Sequence, residues 1–304
     1  MPRQPRLTPA FPQGGFGPFR GLRRGALLAL ACCAGAGGYM LFESQWLECR
    51  EETLELPGLP PALEGLTVLH MSDAHVGQPG LNLRTLGKAV AWAQERRPDL
   101  VVLTGDMLGT GRAAGRCLNQ LSRLRPPLGM FAVPGNHEYG LSKNPLTRGR
   151  AMPAWESAGV TLLRDRCLTM PVTTSRGRAE LTVCGADYLT GGHGLEVKEV
   201  DKPESPRLAV LLIHRPPAPD DVLGPRFDLA FAGHTHGGQI RVPTPAGLKL
   251  VHSENLPYVS GVHPWGRGNL IISRGIGTTF VPFRLCTRPE VVLYRLGRRP
   301  GGRP

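Results

Sequence analysis

Five short motifs place Asp, Asn and His side chains in a fixed order along this chain of 304 residues. They are Asp73-Ala74-His75, Gly105-Asp106, Gly135-Asn136-His137-Glu138, the single His214, and Gly233-His234-Thr235-His236-Gly237. Carboxylate oxygen, amide oxygen and imidazole nitrogen are donors that hard and borderline divalent metals accept. Two such metals held side by side can activate water for attack on a phosphate ester. The motifs therefore predict a two-metal site with hydrolytic chemistry.

The elements that position these motifs are predicted to be strands. Each motif follows an apolar run rich in β-branched residues, at 66–71, 99–104, 129–133, 207–213 and 227–232. Helical periodicity at 83–97 and 112–124 separates the first three runs, whereas short strands dominate after residue 160. This order predicts two packed sheets with helices outside them. Because α/β sheets bind ligands outside the carboxyl ends of their strands, the motif side chains should converge there.

The motifs differ in how strongly each one indicates a metal site. Asp-x-His and Gly-Asp are common in ordinary loops, whereas His234 and His236 directly after a buried strand are hard to explain as packing. Asp106 has two carboxylate oxygens and is suited to bridging two metals. Asn136 supplies a neutral oxygen that limits the negative charge. The specific signal is the ordered combination, which His214 completes.

With these five motifs in order, the sequence resembles the calcineurin-like metallophosphoesterase superfamily, whose pattern is D-x-H, G-D, G-N-H-[D/E], H and G-H-x-H. Two stretches, Gly-His-Thr-His-Gly-Gly-Gln at 233–239 and Arg-Pro-Glu at 288–290, are similar to a branch of membrane-associated bacterial phosphodiesterases of the YkuE/YaeI type. The resemblance implies an α/β fold, a four-layer αββα sandwich of two mixed sheets flanked by helices.

The resemblance also implies a role for each candidate residue. Two divalent metals, left open among Mn, Fe, Zn, Mg and Co, would share Asp106. One metal would be held by Asp73, His75, Asp106 and His236, and the other by Asp106, Asn136, His214 and His234. A hydroxide bridging the metals would attack phosphorus in line, and His137 would assist the leaving group.

The chain departs from the family pattern at two positions. Glu138 stands where Asp is also frequent. Some branches pair the catalytic histidine with an Asp three residues after the bridging one, where this chain has Gly109. The partner that orients His137 is therefore left open.

An uncharged run at 25–42 precedes the motifs. Arg20, Arg23 and Arg24 lie before it and Glu43 and Glu48 after it, so the positive-inside rule places the body of the chain outside the cytoplasm. The run predicts a transmembrane anchor, with a cleaved twin-arginine export signal as the alternative. A lipoprotein signal ending at 32 fits less well. The expected location is the bacterial cytoplasmic membrane, with the catalytic domain on the extracytoplasmic side.

The formal net charge of +12 is concentrated at the two ends of the chain. Residues 1–24 hold five Arg and 297–304 three more, with no acids, which leaves +4 for the rest and argues against nucleic acid as a partner. The expected organisation is a basic disordered tail at 1–24, the anchor or signal at 25–42, a metallophosphoesterase domain at 43–296 and a second basic tail at 297–304. The seven cysteines lack paired spacing and predict no disulfide framework.

The expected function is metal-dependent hydrolysis of a phosphate ester, with a diester favoured, in a lipid-linked or envelope substrate. One alternative is a UDP-diacylglucosamine pyrophosphohydrolase of lipid A synthesis, although its substrate is cytoplasmic and the predicted topology places the domain outside. The alternative from another class is an inactive scaffold, which the filled ligand positions disfavour. Arg215, Arg241 and Arg274 are candidates to contact a substrate phosphate. The oligomeric state is left open.

Overall fold

The computed structural model describes residues 17–142, 149, 151–197, 206–221, 223–245, 247–250 and 257–299, of which 17–24 are described by their backbone alone. The chain divides into two compact units, Met1–Tyr39 and Met40–Pro304. Helix α1 (Gly17–Glu43) forms the described part of the first unit and ends within the second. Residues 17–24 are therefore helical, where the sequence predicts a disordered tail. Residues 1–16 lie outside the described part.

The apolar part of α1 matches the predicted membrane segment. Gly25–Glu43 is long and apolar enough to cross a membrane, with a mean hydropathy of 1.7. A signal sequence near the N-terminus meets the same criterion, so this helix is weak support for membrane association. The anchor and the export signal are both consistent with it.

Two further α-helices and fourteen strands build the described part of the second unit. The helices are α2 (Asn82–Arg96) and α3 (Ala114–Leu121). The strands are β1 (Glu48–Leu56), β2 (Thr67–Met71), β3 (Leu100–Leu103), β4 (Met130–Ala132), β5 (Val160–Leu162), β6 (Arg166–Thr174), β7 (Gly177–Gly185), β8 (Arg207–Leu212), β9 (Leu229–Ala232), β10 (Arg241–Thr244), β11 (Gly247–Leu250), β12 (Gly261–Trp265), β13 (Gly268–Ile272) and β14 (Glu290–Arg298).

The strands form two six-stranded mixed sheets and one hairpin. The first sheet has the order β1-β14-β2-β3-β4-β5, in which β2 to β5 are parallel and β14 is antiparallel to β2. The second has the order β12-β13-β9-β8-β7-β6, in which β13, β9, β8 and β7 are parallel. Strands β10 and β11 pair separately. The predicted class, two mixed sheets with helices outside, is confirmed.

Three hydrophobic clusters define the layers. Between the sheets, Val68 and Val102 of the first sheet pack with Val210 and Phe231 of the second. On the outer face of the first sheet, α2 and α3 bury an apolar stripe against β2 and β3. The outer face of the second sheet is covered, in the described residues, by loops and a short 3-10 helix (Gly224–Arg226) instead of α-helices. In the described residues, the layer outside the second sheet therefore lacks the α-helices that the expected four-layer sandwich has there.

The acidic segment after α1 is a strand, which the sequence pattern did not predict. Strand β1 pairs along its whole length with β14, and Arg50 forms ion pairs with Glu52 and Glu290. Its alternating charges conceal the pattern of a strand, because an edge strand exposes most of its side chains. Charged side chains on such an edge also oppose pairing with another chain. At the other end, β14 reaches Arg298, beyond the predicted boundary at 296.

One disulfide joins β6 to β7, although the spacing of the cysteines predicts none. Cys167 and Cys184 are directly opposite in the antiparallel register and are bonded to each other. The pairing is a consequence of strand register, which sequence spacing does not reveal.

Candidate metal centre

All seven predicted ligands lie in loops directly after parallel strands. Asp73 and His75 follow β2, Asp106 follows β3, Asn136 follows β4, His214 follows β8, and His234 and His236 follow β9. The carboxyl ends of these strands in both sheets meet at one edge of the sandwich. The topology therefore brings together side chains that are up to 163 residues apart, from Asp73 to His236.

Five of these residues have a backbone in the left-handed region. The φ angles are 51° for Asp73, 44° for His75, 51° for Asp106, 71° for His234 and 51° for His236. Residues other than glycine adopt this conformation only where the surrounding structure fixes it, and such strain concentrates at functional sites. The sharp turns aim consecutive polar side chains at the same point.

Glycines next to the ligands allow the loops to approach closely. Gly105 has a φ of +87°, and a Cβ atom there would lie 2.5 Å from Nδ1 of His214 and 2.8 Å from the backbone nitrogen of Gly135. A Cβ atom at Gly233 would overlap the side chains of Ser72 and Asp73. The glycines of the Gly-Asp and Gly-His-x-His motifs are therefore required by space.

One group of ligands consists of Asp73, His75 and His236. The Nε2 atoms of His75 and His236 are 2.9 Å apart, and Oδ1 of Asp73 lies 3.5 Å from Nε2 of His236. All three side chains are buried. Their donor atoms lie within 4.8 Å of one another, close enough to hold one cation.

A second group consists of Asp106, Asn136, His214 and His234. Nε2 of His214 lies 3.4 Å from Oδ2 of Asp106, 3.2 Å from Oδ1 of Asn136 and 3.1 Å from Nδ1 of His234. The same Oδ2 atom of Asp106 is 3.7 Å from Nε2 of His75 in the first group. Asp106 thus faces both groups, as a bridging ligand must.

The chemistry of this donor set fits two divalent metals. Two carboxylates, one amide oxygen and four imidazoles converge in a buried site, where that many imidazole nitrogens would otherwise repel one another. Burial holds the pKa of His75 and of His236 well below the usual value, so both rings are neutral and have a lone pair to donate. Mixed oxygen and nitrogen donors suit several metals, so the donor set leaves the identity of the metal open.

The two carboxylates differ in their electrostatics. Burial raises the pKa of Asp73 to about 6. Burial also opposes ionisation of Asp106, but the adjacent His214 outweighs it and holds the pKa of Asp106 well below its usual value. Burial likewise opposes the charge on His214, whereas the Asp106 carboxylate raises its pKa to about 10. His214 therefore carries a proton that a bound metal would have to displace.

Glu138 connects two of the ligand-bearing loops, a role that the sequence reasoning missed. Its carboxylate is fully buried and accepts hydrogen bonds from the backbone N–H groups of Asp106 at 2.9 Å, Gly135 at 2.8 Å and Leu108 at 3.2 Å. Burial, followed by the charge of Asp106, raises its pKa, whereas the N–H groups of Gly135 and Leu108 that donate to it lower the pKa and favour the carboxylate. The sequence did offer one signal for this role: Glu138 ends the Gly-Asn-His-Glu motif, but the family pattern assigns it no metal.

His137 lies beside the centre and contacts Gln78. Its Nε2 atom is 4.0 Å from Oδ2 of Asp106, and its Nδ1 atom is 3.3 Å from Nε2 of Gln78. The Gln78 amide also lies 3.0 Å from Nδ1 of His75 and accepts from the N–H of Phe280 at 3.2 Å. A Cβ atom on Gly109 would overlap the Gln78 side chain. Gln78 thus occupies the space beside Gly109.

A cavity of about 890 Å³ opens over the metal centre. Arg215 and Tyr188 line it, together with apolar side chains. The other two candidate arginines have structural contacts: Arg241 donates to the carbonyl of Gly237, and Arg274 pairs with Glu290 and Glu48. Arg215 therefore is the one of the three that lines the cavity.

Among the described residues, the other histidines lie outside the centre. His70 is buried between the sheets, where its Nε2 atom lies 2.9 Å from the Thr104 hydroxyl, as expected for a core residue. Burial lowers its pKa to about 3. His263 contacts the carbonyl of Ser260. His252 lies outside the described residues.

The family model of the calcineurin-like phosphoesterases matches residues 66–238, more than half of the chain. The chain belongs to the calcineurin-like phosphoesterase family. It is therefore a hydrolase that acts on phosphoester bonds, and its fold implies divalent metal ions. The matched range contains all five motifs and every predicted ligand.

Several relatives match far more of the chain than the family model does. The uncharacterized metallophosphoesterase YkuE of Bacillus subtilis is 27% identical over 282 residues, covering 90% of this chain and 94% of its own. Phosphodiesterase YaeI of Escherichia coli is 29% identical over 279 residues, covering 89% and 96%. A transmembrane protein with a metallophosphoesterase domain from Bos taurus is 28% identical over 263 residues, covering 82% and 57%. The resemblance to the YkuE/YaeI type is confirmed.

Proposed function

We propose that this protein is a metal-dependent phosphodiesterase of the bacterial cytoplasmic membrane that acts on a lipid-linked or envelope substrate. The observation that carries the proposal is the placement of Asp106, whose Oδ2 atom faces one donor group through His75 and the other through His214. An inactive scaffold would need none of the seven donors. It would also have no reason to keep five of them in a left-handed backbone conformation, which destabilises the fold.

Each donor group would hold one divalent metal. Asp73, His75 and His236, with Asp106, would hold the first, and Asp106, His214 and His234, with Asn136, would hold the second. When bound, two divalent metals supply a nucleophilic water and neutralise charge on the phosphoryl oxygens. Mn, Fe, Zn, Mg and Co all suit mixed oxygen and nitrogen donors.

The chain's own residues bind the ester and move a proton. Arg215 lines the cavity next to His234 and offers a positive charge to a phosphate oxygen. His137 donates a proton from Nε2 to the departing oxygen, a step that contributes about 10²- to 10⁴-fold to the rate. Preference for a diester is supported by the name of the E. coli relative, Phosphodiesterase YaeI, which covers most of this chain.

Two observations support an extracytoplasmic catalytic domain. Arg23 and Arg24 precede the apolar part of α1 and Glu48 follows it, which satisfies the positive-inside rule. The Cys167–Cys184 disulfide is typical of proteins in an oxidising compartment. Both oppose the alternative of a UDP-diacylglucosamine pyrophosphohydrolase, whose substrate is cytoplasmic. The proposed organisation is an anchor at 25–42 and a catalytic domain from 43 to at least the end of β14.

The test compares hydrolysis of bis-p-nitrophenyl phosphate with that of p-nitrophenyl phosphate by the purified protein, stripped of metal and then resupplied with Mn²⁺. We expect metal-dependent turnover of the diester above the monoester, and its loss in Asp106→Asn. Turnover that survives metal removal or this substitution would refute the proposal. Absence of both turnover and bound metal would support the scaffold.

A further inference from the structure

The cavity over the metal centre has one wall that is apolar. It is formed by Leu141, Ile240, Leu250, Val259, Phe280 and Val281. Three of these side chains are well exposed, Leu141 at 54%, Phe280 at 53% and Val281 at 40%. Exposed apolar side chains that are clustered beside a catalytic centre mark a binding surface, whereas single ones need no explanation.

Phe280 is held in this exposed position by the site itself. Its backbone has a φ of 61°, a conformation that a bulky residue rarely adopts. Its N–H group donates to the side-chain oxygen of Gln78, whose amide nitrogen lies against His75 and His137. An exposed phenyl ring gains little from packing, so the strain is consistent with a role in binding.

The loop that carries Phe280 and Val281 also contacts the end of α1. The N–H of Arg284 donates to the carbonyl of Met40 at 3.1 Å, and the N–H of Thr287 donates to the Glu43 carboxylate at 2.7 Å. Met40 and Glu43 are the last residues of the apolar part of α1. The apolar wall is therefore joined, through a few residues, to the place where the candidate membrane span ends.

Aromatic residues at that place are typical of a membrane interface. Phe42 is 58% exposed and Trp46 is 46% exposed, and their rings are 5.6 Å apart. The Arg288 guanidinium lies 4.0 Å from the Trp46 ring centre. Tryptophan and arginine are residues that settle at the level of lipid head groups.

We propose that the apolar wall binds an acyl chain of the substrate, which the enzyme takes from the bilayer while the phosphate ester reaches the metal centre. This inference rests on the proposed function and specifies its substrate class as an amphiphilic phosphodiester. In this proposal Arg215 and His234, which also line the cavity, contact the phosphate, and the apolar wall contacts the acyl chain.

The experiment uses the full chain with two substrates that share one leaving group, ethyl p-nitrophenyl phosphate and octyl p-nitrophenyl phosphate. We expect a KM about tenfold or more lower for the octyl ester, since burial of an alkyl chain is favourable for each methylene. Leu250→Ser combined with Val281→Ser should remove this preference and leave turnover of the ethyl ester unchanged. Val262→Ser is the matched control, because Val262 is 42% exposed and lies outside the cavity lining.

An equal loss of activity on both esters in the double variant, or no octyl preference in the wild type, would overturn the acyl-chain wall. A second arm separates this failure from failure of the proposed function. Calorimetric binding of octyl phosphate and ethyl phosphate needs no turnover. An octyl preference that the double variant loses, in a protein that hydrolyses neither ester, would uphold the wall and refute the phosphodiesterase. Binding without any preference would refute the wall.

Discussion

Replacement of Gln78 by Ala tests how His137 is positioned. The amide of Gln78 is oriented by the Phe280 N–H, which donates to its oxygen, so its nitrogen faces Nδ1 of His137 at 3.3 Å. An imidazole that accepts at Nδ1 keeps its proton on Nε2 when it is neutral. That nitrogen is the one 4.0 Å from Asp106, on the side of the reacting centre. Gln78 therefore holds the His137 ring with Nε2 toward the reacting centre, and its amide nitrogen also lies 3.0 Å from Nδ1 of His75.

The size of the effect follows from one hydrogen bond. A hydrogen bond of this type contributes about 0.5–1.5 kcal/mol, which corresponds to about 2- to 13-fold in rate. His137 itself should contribute about 10²- to 10⁴-fold. We therefore expect Gln78→Ala to lower kcat about tenfold for diesters with basic leaving groups. The kcat of Gln78→Ala should still be well above the kcat of His137→Gln. For p-nitrophenolate, which leaves without a proton, the effect should be small.

The assay is the slope of log kcat against leaving-group pKa in a series of aryl and alkyl phosphodiesters. Gln239→Ala is the matched control, because Gln239 contacts the backbone of Thr279 in the same loop at 2.9 Å but does not touch His137. The slope should steepen in Gln78→Ala only. An equal loss for every leaving group, the same slope change in the control, or a lower metal content in Gln78→Ala would refute the positioning role.

Three further predictions concern the support of the site. Glu138→Gln places an amide against backbone N–H groups that now donate to a carboxylate, so unfolding in urea should show a loss of about 1–3 kcal/mol and metal should be retained less well. Unchanged stability would contradict this. Removal of the Cys167–Cys184 bond, which spans 17 residues, should cost about 3 kcal/mol and lower the Tm by roughly 6–12 °C. Peptide mapping that finds Cys167 or Cys184 alkylated in the native wild type would show that the bond is absent; the exposed free thiols of Cys32, Cys33, Cys49 and Cys286 react in either case. Gly233→Ala should displace Asp73 and reduce the metal content, measured by mass spectrometry, while Gly115→Ala, where the new methyl has open space, should not.

The sequence predicts the metal-binding edge of the fold better than the rest of it. Each ligand follows a short apolar strand, and parallel strands place their carboxyl ends together, so local pattern and topology agree there. The strand β1 was missed because its charged residues alternate on an exposed edge. The Cys167–Cys184 bond was missed because it depends on the register of β6 against β7.

Gln78, the partner of His137, could not be predicted from the sequence for a related reason. Gln78 follows His75 by three residues, a spacing with no signature, and it reaches His137 only because Gly109 leaves room for it. The role of Glu138 likewise depends on backbone N–H groups that become available when the loops fold. Contacts of side chains to backbone in loops are set by the fold, and residue types alone do not specify them.

The side chain of Arg284 fixes the position of the loop that bears Phe280 relative to the candidate ligand His236. The side chain is fully buried and donates to the carbonyls of Arg274, Gly275, Gly277 and Thr287 and to that of His236, a ligand. Burial lowers its pKa to about 9, so it remains charged at neutral pH and its hydrogen bonds are charge-assisted. The loop that bears Phe280 is thus fastened at its base to a metal ligand, and the N–H of the same arginine reaches Met40 at the end of α1. One buried cation therefore joins the loop that bears Phe280, the candidate ligand His236 and Met40.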